Sequence, residues 1–81
     1  MAVSAPPGIA VYAATVTDAR DPYGEMRVKV SVPAILGSRE VWAWPLVRAP
    51  GAALPEAGSA VLVMFEGGDL EAPVWAAARR P

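Results

Sequence analysis

The chain has 81 residues, enough for one domain, and a chain this short buries only ~60–65% of the surface it exposes when unfolded. Seven basic and eight acidic residues leave a net charge of −1, too little to hold nucleic acid or an anionic membrane through its phosphates. Cysteine and histidine are both absent, which excludes a disulfide framework and a thiolate metal site and removes the commonest metal ligand and general base.

Met1 to Gly8 has no basic residue ahead of its apolar stretch and does not read as a secretory signal. The first strand is expected over Ile9 to Asp18, which is rich in small and β-branched residues. Asp18 to Gly24 is a cluster of turn formers, with Asp21, Pro22 and Gly24 as structural turn residues. Glu25 to Val32 then alternates strictly: Met26, Val28, Val30 and Val32 face one way, Arg27, Lys29 and Ser31 the other. Pro33 ends this second strand because proline cannot donate to a sheet ladder.

A short loop with Gly37 and Ser38 leads to a third strand, Glu40 to Trp44, with a bulge or an edge expected at Pro45. Arg48 to Pro55 is too broken for a helix and predicts a loop, followed by turn positions Pro55 and Gly58. The fourth strand, Ser59 to Glu66, is apolar on both faces: Val61, Val63 and Phe65 on one, Ala60, Leu62 and Met64 on the other. A strand of this kind is covered on both faces, so one side is core and the other meets a loop, a neighbouring subunit or a ligand. Gly67, Gly68 and Asp69 turn the chain into a short last strand, Pro73 to Ala76.

Five short strands separated by Gly/Pro turns predict an all-β domain, a small five-stranded OB-like antiparallel barrel. Its expected limits are residues 8–78, with an N-terminal arm at 1–7 and a C-terminal tail at 79–81. The apolar runs are about six residues long, far from the ~20 of a membrane helix, so a soluble chain without stable membrane insertion is expected. The apolar class nevertheless makes up 54% of the residues, above the usual ~45–50%. A small domain has little interior for that surplus, which is most simply buried against another subunit.

The order of motifs resembles a known family. Asp21-Pro22-Tyr23-Gly24 followed by Arg27-Val28-Lys29-Val30-Ser31-Val32-Pro33 is similar to the opening of phage baseplate OB modules. Trp42-Ala43 before a proline fits, as do Leu54-Pro55-Glu56-Ala57-Gly58, then Val61, Val63 and Phe65, then Glu66-Gly67-Gly68-Asp69 and Pro73-Val74. Together they resemble the OB domain at the base of phage tail spikes (baseplate assembly protein V) and of the valine-glycine repeat spike proteins of type VI secretion. The ordered set, over roughly residues 8 to 77, carries the resemblance more than any single motif.

The resemblance implies a structural module made in the bacterial cytoplasm, a homotrimer on the tail axis between tail tube or hub and spike, in a virion baseplate or an assembled injection particle. Members of that family usually continue into a long β-helical spike, sometimes with a lysozyme or effector domain. This sequence stops just past the fifth strand, so piercing and peptidoglycan cleavage are not carried over and an adaptor role or a separate spike subunit is expected.

Trp42, Trp44, Leu62, Met64 and Trp75 are the candidate subunit-interface residues. With Tyr12, Tyr23 and Phe65, the tryptophans also suggest the alternative, a stacking platform for single-stranded nucleic acid, but such platforms need a basic groove, and only Arg27 and Lys29 alternate suitably, beside Glu25. Asp18, Asp21 and Asp69 could ligate a hard cation, yet their placement suits Asx-turns better than a calcium loop. Ser4, Ser31, Ser38 and Ser59 lack an activating base, and Glu56 and Glu66 are held ~33 Å apart by ten residues of extended chain. Neither a catalytic residue nor a cofactor or metal site is expected. Arg79 and Arg80 read as a solvated tail.

Overall fold

A computed structural model of the chain describes residues 10–48, 51 and 53–77. The expected arm, the tail and both outer limits of the barrel domain lie outside them. Five strands form a closed barrel: β1 (Val11–Asp18), β2 (Val28–Ser31), β3 (Glu40–Pro45), β4 (Ala60–Phe65) and β5 (Pro73–Ala77), in the order β1-β2-β3-β5-β4. This is the architecture of an OB fold, with one correction to the expectation. The barrel is mixed, because β3 and β5 run parallel, Trp44 opposite Val74 and Pro45 opposite Trp75. Directions cannot alternate throughout a closed ring of five strands, since five is odd; one neighbouring pair has to be parallel.

Alternation decides what is inside. Ala14 and Val16 of β1, Val28 and Val30 of β2, Val32, Ala43 of β3, Val61, Val63 and Phe65 of β4, and Trp75 of β5 form one buried cluster. Its fully buried large side chains are all valines: Val16, Val28, Val30, Val32, Val61 and Val63. Each contributes about 1.5–3 kcal/mol by leaving water, and valine's stiff χ1 suits the pleat. Tyr12 packs edge-on against Phe65, with ring centroids 5.8 Å apart, at one end of the core.

Two elements depart from the sequence reading. The second strand starts three residues later than expected, at Val28. The Asp21 carboxylate takes the backbone N–H groups of Glu25 and Arg27 at 3.0 and 3.2 Å, and Met26 adopts φ 63°, so this stretch cannot join a ladder. The segment after Pro33, expected as loop, forms a helical turn, α1 (Pro33–Leu36). Proline ends the strand and also fits the first helical position, where no N–H is required. Pro45, expected at a bulge or edge, lies past the last β2–β3 pair, Val28–Ala43, where β2 asks no N–H of it.

Gly58 is the turn residue with the most direct structural demand. Its φ is +92°, and its N–H donates to Val16 O at 2.7 Å, while Val16 N donates to Ser59 O at 2.9 Å, tying the β3–β4 connection to β1. A Cβ at this position would meet nothing within 4 Å. Gly58→Ala should therefore cost only the backbone term of about 1–2 kcal/mol in urea unfolding. An unchanged midpoint would show that the positive φ is not required.

Candidate interaction surface

The outside of the barrel is divided. The wall made by β2 and the adjoining halves of β1 and β3 is polar: Thr15 faces Ser31, Ser31 faces Glu40, Lys29 faces Trp42, and the Thr17 hydroxyl donates to Glu40 Oε1 at 3.2 Å. The opposite wall is apolar. Register aligns Val11 with Met64, Met64 with Val74 and Val74 with Trp44, a row across β1, β4, β5 and β3. A second row runs Ala13–Leu62–Ala76. Leu46 extends it: it follows Pro45, and its N–H donates to Trp75 O at 2.9 Å. Val11, Trp44, Leu46 and Val47 are 51, 47, 56 and 73% exposed, so they hold much of their apolar surface in water.

Of the five interface candidates, Leu62 and Met64 lie half-buried on the apolar wall and Trp44 stands exposed at its edge. Trp42 shares the outward face with Trp44 but lies half-buried, with Arg27 and Lys29 5.2 and 5.3 Å from its ring centroid. Trp75 departs from the expectation. Its register with Val63 points it inward, where it is 8% exposed and its indole N–H donates to Met26 O at 3.1 Å. All of Pro73–Ala77 is apolar, so no alternation marks which face of this strand is inside.

The β1–β2 connection holds a cluster that sequence reasoning missed. Asp21 accepts from Tyr23 N at 2.9 Å as well as from Glu25 N and Arg27 N, and Arg27 grips it twice, Nη2 to Oδ1 at 2.8 Å and Nε to Oδ2 at 3.1 Å. The two side chains are 3 and 13% exposed. The guanidinium lies 4.8, 5.2 and 5.4 Å from the ring centroids of Tyr23, Trp42 and Trp44, within cation–π range of all three. Arg27 holds the Asp21 carboxyl far below the usual carboxylate range; desolvation opposes this, and the three N–H donors add to it. The reciprocal bond raises Arg27. The usable signal was an Asp in a turn six residues before an Arg whose own face carries two tryptophans.

The other acidic turn residues also serve their own loops. Asp18 accepts from Arg20 N at 2.8 Å, which lowers its pKa, and Asp69 accepts from Glu71 N at 2.9 Å. Gly24 closes the turn onto Asp21 O with φ 64°; Gly67 and Gly68, at φ 61 and 78°, belong to the 3-10 turn after β4. Pro55 is half-buried ahead of Gly58. Among the described residues no three His, Cys, Asp or Glu side chains gather to hold a metal ion. This arrangement offers contact surface.

A family model, the type VI secretion system/phage-baseplate injector OB domain, matches residues 12–78. A search of curated proteins finds none that matches.

Proposed function

This chain belongs to the type VI secretion system/phage-baseplate injector OB-domain family, and we propose that it is a non-enzymatic adaptor that joins subunits through its apolar outer wall. The family places it in a phage baseplate or a type VI secretion apparatus. Within such a machine it would oligomerise on the tail axis, as a homotrimer between tube or hub and spike. The observation that supports this reading is the double apolar row across β1, β4, β5 and β3, with Trp44 and Leu46 at its edge. Scattered exposed apolar residues are ordinary, whereas a continuous patch marks an interaction site.

Nucleic acid fits less well. In OB folds the β2–β3 face and the β1–β2 and β4–β5 loops take oligonucleotides. Tyr23, Trp42 and Trp44 do cluster on that side, but Arg27 is already matched by Asp21, and among the described residues Lys29 is the one cation not paired with a carboxylate. Light scattering of the purified chain, alone and with tail tube, hub and spike proteins, tests the proposal. Self-association or co-assembly is the expected result, and a stable monomer that ignores each of those proteins would overturn it.

A further inference from the structure

Pro45, Leu46, Met64, Glu66 and Val74 bound an open groove of about 310 Å³ on the apolar wall. Four of these residues are apolar, and the fifth brings a carboxylate to the end of β4. The described arginines are engaged elsewhere: Arg20 with Asp18, Arg27 with Asp21, Arg39 with Glu71 and Arg48 with Glu25, while Lys29 lies over Trp42. Among the described residues, Glu66 has no basic partner.

We propose that this groove receives an aliphatic segment of another protein of the injection machine carrying one Lys or Arg, whose stem lies on Met64 and Val74 and whose cation meets Glu66. The inference rests on the assembly reading above and adds the chemistry of the neighbour. Apolar walls favour an aliphatic chain, but covering them removes water from the adjacent carboxylate, which is unfavourable unless a cation replaces that water. Lys and Arg supply both the stem and the charge. A nucleic acid or an acidic segment would meet Glu66 with the wrong sign.

The test is an NMR titration of the full chain with n-hexylammonium, n-hexanol and hexanoate. The Leu46, Met64 and Val74 methyl signals should shift saturably, with hexylammonium binding about three-fold tighter than hexanol, as expected for one partly exposed ion pair, and hexanoate weakest. Glu66→Gln should abolish the advantage of the amine while leaving hexanol affinity and the thermal midpoint unchanged. Equal affinities for the three probes, or shifts confined to other residues, would overturn the proposal. Loss of the probe-induced shifts once the chain self-associates would assign the groove to a second copy and also overturn it. Assembly without amine selectivity defeats this inference alone, and amine selectivity in a chain that never assembles defeats the assembly reading instead.

Discussion

Asp21→Ala lowers the thermal midpoint of the barrel by more than about 10 °C at neutral pH, a larger loss than Arg27→Ala produces. The asymmetry comes from what each substitution leaves behind. Without Asp21, the N–H groups of Tyr23, Glu25 and Arg27 lose their side-chain acceptor, and a guanidinium 13% exposed beneath aromatic rings loses its counter-charge. Met26, at positive φ, loses the loop that holds it, and its carbonyl is the acceptor for the Trp75 indole in the core. Without Arg27, the carboxylate keeps its three backbone donors. The double variant should lose less than the sum of the single losses, because the two side chains share one network. Additive losses would show that the pair acts as two independent contacts.

The same group sets an acid limit. The folded-state pKa of Asp21 lies below its ordinary value of 3.8, so between the two values the unfolded chain binds more protons and stability rises with pH. Its contribution is complete above about pH 5 and is lost as pH falls through the ordinary value towards the folded one. Thermal melts from pH 5 to pH 3 should therefore fall less steeply for Asp21→Ala than for the wild type. Equal slopes would remove Asp21 as the source.

Leu62→Lys combined with Met64→Lys weakens assembly at least about 100-fold while shifting the melting temperature by only a few degrees. Both side chains leave the outer wall of β4, so in the free chain a lysine stem can lie on the sheet with its ammonium in water. Under a partner subunit the same ammonium would be buried without a counter-ion, and two such sites at the centre of a patch act as lost hot spots. Ser31→Lys, on the polar wall, is the matched control and should assemble like the wild type. If the double lysine variant still binds tail proteins normally, the contact surface lies elsewhere.

The strands that carry charge on one face were legible residue by residue. Lys29 and Ser31 between Val28, Val30 and Val32 reveal the inside of β2 without any knowledge of neighbours, because side chains on a strand alternate every residue. The ordered turns around Asp21, Gly58 and Gly67 were legible too, since turn chemistry is local. Val61, Val63 and Phe65 also faced inward together, but which of the two apolar faces of β4 was core followed only from its neighbours.

Trp75 shows where local pattern fails. In Pro73–Ala77 nothing polar distinguishes the faces, and only the pairing with Val63 turns the indole inward. The parallel closure of β3 on β5, the grip of Arg27 on Asp21 beneath Tyr23, Trp42 and Trp44, and the alignment of Val11, Met64, Val74 and Trp44 in one row share that origin. By itself the amino-acid order determined that this is a small β domain, which side chains of its alternating strand enter the core, and that apolar residues outnumber the interior available to them. Tertiary structure alone decided where that surplus collects. A side chain's direction is set by its own strand, but its neighbours are set by register between segments tens of residues apart, and no local period encodes that.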